Sequence, residues 1–274
     1  MQSADPPRKG GGLRTRVLSS LVMMPAMLAA IWSGGAVFAV LIVAMAAVLA
    51  WEWHGLLAPR ARGLAAAAIA GVGAGVAATA FDDRFAVALV AVAVAVGAAA
   101  AVQGRRGVDL ALIGFGPLYV GVPAVALLAL RGEFGLAATL WLFASVWATD
   151  IGAYAFGRTI GGPKLMPRVS PNKTWAGLLG GMLCAAGVGL AGVRVPEMAA
   201  MPWPQLMALG AALAVVAQIG DLFESAIKRR QGAKDSSSLI PGHGGLLDRV
   251  DGVLAAVPVA VAVLTMMRAA GALE

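Results

Sequence analysis

The sequence predicts an all-α integral membrane protein, a polytopic bundle of about nine transmembrane helices with its N-terminus in the cytoplasm. Hydrophobic residues make up 60% of the 274 positions and charged residues only 13%, whereas about a quarter of a soluble domain is charged. The 36 glycines suit helices that pack closely in lipid, where small residues let backbones approach. The basic residues lie at the ends of apolar stretches, and this placement sets the orientation of a membrane protein.

The helices follow from the apolar stretches along the chain. Nine are long enough to cross a bilayer: residues 17–33, 36–51, 63–80, 85–102, 109–130, 135–156, 175–193, 204–226 and 249–269. Residues 1–16 are rich in proline, glycine and basic residues and predict a basic, flexible N-terminal tail. Residues 17–274 then form a single polytopic domain, because the connections are short. With the N-terminus inside, all lysines and arginines are cytoplasmic except Arg84, Arg131, Arg194 and Arg268.

Residues 225–252 form a polar island between the last two predicted helices. The segment reads SAIKRRQGAKDSSSLIPGHGGLLDRVDG and is dense in basic residues, carboxylates and glycines. Charge so close to lipid is typical of a functional site. A basic loop that only fixes topology is the alternative, but it leaves the carboxylates and the His-Gly-Gly turn unexplained. Because the basic residues lie at helix ends, the pI near 10.3 indicates anionic headgroups or a phosphate-bearing substrate as partners, not nucleic acid.

Acidic side chains share faces of the two helices that flank this island. Asp248 and Asp251 lie on one face at the start of the ninth helix, where a favourable interaction with the helix dipole is the simpler interpretation. Asp221 and Asp248, brought together, would make an oxygen-rich pocket suited to Mg²⁺, which takes one or two carboxylates and completes its shell with water and phosphate oxygens. One face of the eighth helix carries Asp221, Glu224, Ser225 and Lys228.

A set of cations surrounds these carboxylates in the sequence. A positioned metal, cationic side chains and a glycine-rich turn are what phosphoryl or nucleotidyl transfer needs. No Walker A motif is present, which argues against a P-loop nucleotide site. The cations that would neutralise phosphate charge are Lys228, Arg229, Arg230, Lys234 and Arg249.

His243 and the loop of residues 157–177 each have two interpretations. His243 either stiffens its glycine-rich turn through a carbonyl or contacts a phosphate or base directly. In the other loop, Ser170 and Thr174 are expected to cap the seventh helix, and Lys173 beside them can bind phosphate at the helix N-terminus. Asp150, near the end of the sixth helix, either pairs with Arg158 or joins the polar centre.

Two aromatic residues near the end of the second helix are expected to have no role in the site. Trp53 is typical of an interfacial anchor, and His54 is expected to lie on the surface.

The polar island resembles the signature of the phosphatidate cytidylyltransferases, also called CDP-diacylglycerol synthases. After Lys173, Thr174 and Trp175 that family usually has glutamate or glutamine, whereas this chain has Ala176. Residues 1 to about 140 match only as generic membrane helices, so the catalytic motifs concentrate in residues 150–252. The resemblance rests on Ser225-x-x-Lys228-Arg229, Lys234-Asp235, Pro241-x-His243-Gly244-Gly245-x-x-Asp248-Arg249-x-Asp251, Gln218-x-Gly220-Asp221-Leu222-x-Glu224, Ser170-Pro171-x-Lys173-Thr174, and Asp150 with Ala153, Tyr154, Gly157 and Arg158.

The resemblance implies a membrane-bound nucleotidyltransferase of phospholipid biosynthesis, which makes CDP-diacylglycerol and pyrophosphate from CTP and phosphatidate. By that likeness Asp221 and Asp248 hold Mg²⁺, with room for a second cation in the same centre. The expected catalytic residues are Asp221, Asp248, Lys228, Ser225 and Asp251, and the expected substrate-binding residues are Ser170, Lys173, Thr174, Lys234, His243, Arg249, Arg229 and Asp150.

The partners implied are CTP, phosphatidate and membrane lipids, and a homodimer is compatible with the glycine-rich helices. Short loops and the absence of a transit peptide favour a bacterial inner membrane with the site on the cytoplasmic side. A CTP-dependent polyprenol or phytol kinase is an alternative, but it would need a base for the alcohol. An anionic-solute transporter would place its charges near the bilayer midplane, whereas here they gather at one side.

Overall fold

A computed structural model describes residues 13–57 and 110–273 of the chain. It contains seven long helices: α1 (Leu13–Ser33), α2 (Gly35–Leu57), α3 (Leu110–Glu133), α4 (Gly135–Thr159), α5 (Trp175–Ala191), α6 (Trp203–Arg230) and α7 (Leu247–Ala269). Six of them, α2 to α7, are long and apolar enough to cross a membrane, and α1 contains a shorter apolar stretch, Leu21–Ser33. The prediction of a helical membrane protein is therefore confirmed.

The helices coincide with seven of the stretches predicted from the sequence. The predicted spans 63–80 and 85–102 and the N-terminal tail lie outside the described residues, except for the first turn of α1. The total of nine spans and the cytoplasmic N-terminus stay predictions.

The prediction of an all-α fold is wrong at one polar loop. Residues Lys164–Met166 (β1) and Ser170–Thr174 (β2) form a two-stranded antiparallel hairpin between α4 and α5. Gly161 and Gly162 adopt positive φ angles of 67° and 90°, which end α4 and turn the chain into the hairpin. Ser170 consequently begins a strand, where the sequence suggested a helix cap.

Glycines let α5 pack backbone to backbone on both of its neighbours. A Cβ on Gly177 would lie 2.8 Å from the Ala153 carbonyl oxygen of α4, and one on Gly181 would lie 2.9 Å from that of Thr149. The close packing expected of helices rich in glycine is thus confirmed at Gly177 and Gly181. On the other side, Gly210 of α6 lies so close that its Cβ would overlap the Ala185 carbonyl oxygen.

We expect Gly210→Ala to lower the melting temperature of the detergent-solubilised protein. The added methyl group forces α5 and α6 apart, and overpacking of this kind costs about 1–3 kcal/mol. Gly187→Ala is the matched control on α5, because its Cβ would meet nothing within 4 Å. Equal melting temperatures for the two variants would show that the helices separate without cost.

The two ends of the bundle differ in their polar contacts. At one end, Arg131 of α3 donates to the Ile31 carbonyl oxygen at 2.7 Å, and Arg268 of α7 pairs with Glu133 at 3.5 Å. At the other end, the last turns of α2 and α6, the first turn of α7 and the hairpin converge. Most of the polar residues singled out from the sequence lie at this second end.

Candidate active site

Lys228 lies at the centre of the polar end, on the last turns of α6. Only 8% of the residue is exposed. Its Nζ atom lies 2.6 Å from Asp248 Oδ1 of α7 and 3.2 Å from Glu224 Oε1, one turn back on α6. One ammonium group therefore serves two carboxylates at the junction of two helices, and burial makes the loss of either partner costly.

The Asp248 carboxylate also holds the loop between α6 and α7. It accepts hydrogen bonds from the Ser236 backbone N–H at 2.9 Å, the Ser236 hydroxyl at 3.1 Å and the Gly245 N–H at 2.8 Å. Together with Lys228, these donors occupy both carboxylate oxygens. In this arrangement Asp248 fixes the loop and orients the lysine.

Asp221 joins the hairpin to α6. Its Oδ2 atom lies 2.6 Å from Lys173 Nζ of β2, and its Oδ1 atom accepts a hydrogen bond from the Ser225 hydroxyl at 3.2 Å. The Asp221 side chain is 34% exposed and that of Lys173 is 17% exposed. Asp221 therefore differs from Asp248, because it has fewer protein donors and more access to solvent.

Asp251 and Glu224 face each other between α7 and α6. The two carboxyl groups interact electrostatically, and the Gly252 N–H donates to Asp251 Oδ1 at 2.8 Å. Tyr119 of α3 lies within electrostatic range of both and of Asp221. Lys228, 3.2 Å from Glu224 Oε1, supplies a positive charge beside this pair.

The cations of the α6–α7 loop have structural contacts of their own. Arg229 donates to the Ala233 carbonyl oxygen at 3.1 Å and closes the turn after α6. Arg249 donates through Nε and Nη2 to the His243 carbonyl oxygen at 3.1 and 2.8 Å. Lys234 is exposed in the loop.

His243 reaches a helix from the start of the chain. Its Nδ1 atom lies 2.9 Å from the Ser19 hydroxyl of α1, and its backbone N–H donates to the Ile240 carbonyl oxygen at 2.9 Å. The ring contact joins the glycine-rich turn to α1, and the choice between the two interpretations of His243 stays a prediction.

In the hairpin, Thr174 has the capping role expected of it. Its hydroxyl accepts a hydrogen bond from the Gly177 N–H at 3.0 Å, and the residue is buried. Ser170 and Lys173 lie earlier in β2 and do not cap α5. Lys173 directly precedes the cap of α5, with its ammonium 2.6 Å from Asp221 Oδ2, and its binding of phosphate stays a prediction.

Asp150 lies towards the polar centre. It is exposed on α4 and within electrostatic range of Asp221, Lys173 and Arg249. Arg158, which the sequence offered as its partner, instead donates to the Tyr154 hydroxyl at 3.3 Å and lies over that ring.

The sequence interpretation missed Glu52, which is 1% exposed on the last turns of α2. It accepts hydrogen bonds from the backbone N–H groups of Leu246 and Leu247 at 2.9 and 2.6 Å and from the Ser237 hydroxyl at 2.6 Å. The one available signal was an acidic residue at the end of an apolar span.

The assignments of Trp53 and His54 are wrong. Trp53 is fully buried, donates from Nε1 to the Leu112 carbonyl oxygen at 3.0 Å and packs near Phe223. His54 is 1% exposed, with Nδ1 2.8 Å from the Ala50 carbonyl oxygen. Both side chains are buried, so neither is an interfacial or surface residue.

Comparison with known proteins agrees with the motifs that converge at this end. A sequence profile described as the cytidylyltransferase family matches residues 14–267. A phosphatidate cytidylyltransferase of Brucella suis is 40% identical over 255 residues, which cover 89% of this chain and 90% of the relative. A phosphatidate cytidylyltransferase of Staphylococcus saprophyticus is 41% identical over 151 residues, which cover 55% and 57% of the two chains. The chain belongs to the cytidylyltransferase family.

Proposed function

We propose that this chain transfers CMP from CTP to phosphatidate and so makes CDP-diacylglycerol and pyrophosphate in a membrane. The observation that carries the proposal is the convergence of Lys228, Asp248, Asp221 and Lys173 at one end of a membrane bundle. These residues come from separate segments of the sequence, and all lie in the motifs that resemble the family signature. The relatives named phosphatidate cytidylyltransferase support the same activity.

The reaction suits a site that has cations and no dedicated base. A phosphate oxygen of phosphatidate attacks the α-phosphorus of CTP, a new P–O bond forms, and the bond to the bridging oxygen breaks as pyrophosphate leaves. The attacking oxygen is already ionised, so no proton has to be removed. Catalysis then consists of positioning and charge neutralisation, which we assign to Lys173, Lys228 and Arg249.

Mg²⁺ is the cation that we propose for this site, and the donors present suit it. Among residues 13–57 and 110–273, no three His, Cys, Asp or Glu side chains form a metal cluster of their own. Mg²⁺ does not require one, because one or two carboxylates, water and substrate phosphate complete its shell. Asp221 would hold it, since that carboxylate is the more exposed. When bound, alone or with a second cation, Mg²⁺ would neutralise charge on the triphosphate.

For Asp248 the role of metal ligand stays a prediction. Its oxygens already accept hydrogen bonds from Lys228, Ser236 and Gly245. A metal bound to Asp248 would have to replace at least one of these donors.

We also propose that the polar end faces the cytoplasm of a bacterial inner membrane. CTP is soluble and would reach a site at the membrane border, while the acyl chains of phosphatidate stay in lipid. The positive-inside rule supports this orientation, because the basic loop after α6 lies at the same end. A homodimer is compatible with this orientation.

The test is an assay of the purified protein in detergent with phosphatidate, Mg²⁺ and α-labelled CTP. We expect label to enter the lipid with stoichiometric release of pyrophosphate, and EDTA to abolish the transfer. No labelled lipid from the wild type would overturn the proposed function. Transfer of label from γ-labelled CTP to a polyprenol would instead indicate a kinase.

A further inference from the structure

We infer that Glu52 is a positioning residue of the active site, which holds the first turn of α7 and the loop before it in place for Asp248. Glu52 lies outside the motifs of residues 150–252 and outside the substrate-binding set predicted from the sequence. The inference rests on the proposed function, because its catalytic readout is the transfer of CMP to phosphatidate.

The Glu52 carboxylate accepts three short hydrogen bonds. Oε1 accepts from the Ser237 hydroxyl at 2.6 Å and the Leu246 N–H at 2.9 Å. Oε2 accepts from the Leu247 N–H at 2.6 Å and lies 3.5 Å from the Ser236 hydroxyl. Both carboxylate oxygens are therefore engaged by the loop and the start of α7.

Glu52 supplies the N-terminal cap that α7 lacks. The residue before the helix is Leu246, whose side chain makes no capping hydrogen bond. The first N–H groups of a helix have no partner within the helix, and a negative charge there is favourable. A carboxylate from α2 therefore replaces the usual serine, threonine or aspartate cap and ties the two helices together.

Ser236 connects Glu52 to the catalytic centre. The Ser236 hydroxyl donates its one proton to Asp248 at 3.1 Å and lies 3.5 Å from Glu52, so this side chain stands between the two carboxylates. Asp248 directly follows Leu247 in the chain and holds Lys228 at 2.6 Å. A shift of the first turn of α7 would consequently move the ion pair.

The close packing around Gly245 restricts movement of the first turn of α7. A Cβ at this position would overlap the Ser236 hydroxyl and lie 2.6 Å from Glu52 Oε1. The loop backbone at Gly245 is therefore packed directly against the Ser236 hydroxyl and the Glu52 carboxylate.

The experiment compares Glu52→Gln, Glu52→Asp, Ser237→Ala and the control Glu133→Gln in the full-length protein. Glu133→Gln makes the same chemical change in an exposed ion pair at the opposite end of the bundle. We expect Glu52→Gln to lower kcat per folded molecule by about 100-fold, the size of effect that a displacement of about 1 Å produces. We expect KM for CTP and for phosphatidate to change by less than about threefold.

Glu52→Asp should recover part of the lost kcat, because it restores the charge at a shorter reach. Ser237→Ala removes one hydroxyl donor and should cost less than Glu52→Gln. Hydrogen exchange without substrates gives a second readout: the amides of residues 236–247 should exchange faster in Glu52→Gln and at the wild-type rate in Glu133→Gln.

Wild-type kcat in Glu52→Gln, or no recovery in Glu52→Asp, would overturn the positioning role. If Glu52→Gln does not fold, Ser237→Ala decides, and an unchanged kcat and exchange rate would overturn it. Failure of the wild type to label phosphatidate would remove the proposed function, while the exchange measurement would still test whether Glu52 holds the loop.

Discussion

We expect Asp248→Asn to lower CMP transfer by about 10³-fold, a loss at the upper end of that seen when one preorganised polar group is removed from an active site. Asparagine keeps one acceptor oxygen but replaces the other with an NH₂ donor. That group would face donors, because Lys228, Ser236 and Gly245 all donate to Asp248. The measurement is the initial rate of label transfer from α-labelled CTP into lipid.

The same substitution should also destabilise the protein, because Lys228 loses the closer of its two carboxylates. Removing one partner of a buried ion pair costs about 3–5 kcal/mol. Adding Lys228→Met to this variant also leaves the buried Glu224 without the ammonium 3.2 Å away, so the double variant should melt at a still lower temperature. Glu133→Gln is the control, because exposed pairs contribute about 1 kcal/mol or less.

The Mg²⁺ dependence of the residual activity separates two roles for Asp248. If Asp248 fixes the loop and Lys228, the Mg²⁺ concentration for half-maximal rate stays at the wild-type value. A rise of tenfold or more would assign Asp248 to the metal. An Asp248→Asn variant with the wild-type rate would contradict both roles.

Local spacing predicted the helix faces of the site but not its partners. The i, i+4 relation places Ser225 beside Asp221 on α6, and the structure has this contact at 3.2 Å. The approach of Lys228 to Asp248 depends on how α6 and α7 pack, which helical periodicity does not encode. The polar island and the resemblance both suggested that the motifs lie together in the folded chain, but neither specified which side chains meet.

Glu52 shows why distant residues were missed. Its donors lie 184 to 195 residues further along the chain, and a single acidic residue in an apolar stretch has no spacing pattern. Trp53 and His54 were misassigned for the same reason, because the rule for interfacial aromatic residues considers only position in a span. Leu112 and Phe223, which bury Trp53, belong to other helices.

The hairpin was missed because its strands are short and polar. Ser170, Pro171 and Thr174 are frequent at helix N-termini, and only Thr174 takes that role here. The alternation of a strand turns Lys173 and Thr174 to opposite sides, so one residue binds Asp221 and the next caps α5.

The second large effect is expected at the junction of this hairpin with α6. Asp221→Asn should lower the rate by about 10³-fold and raise the Mg²⁺ concentration for half-maximal rate, because the exposed carboxylate of the site loses its charge. Lys173→Met should lower the rate by about 100-fold without raising the Mg²⁺ concentration for half-maximal rate, since it removes the cation beside Asp221 and leaves the carboxylate in place. The measurement is a Mg²⁺ titration of the labelled-lipid assay.

Two further variants make this result specific to the pair. Lys164→Met, in the opposite strand of the same hairpin and exposed, should keep the wild-type rate. The double variant Asp221→Asn with Lys173→Met should lose less than the product of the two single losses, because the residues share one ion pair at 2.6 Å. Full multiplicativity would show that they act independently. An unchanged Mg²⁺ dependence in Asp221→Asn would remove Asp221 from the metal site and leave it as the anchor of Lys173.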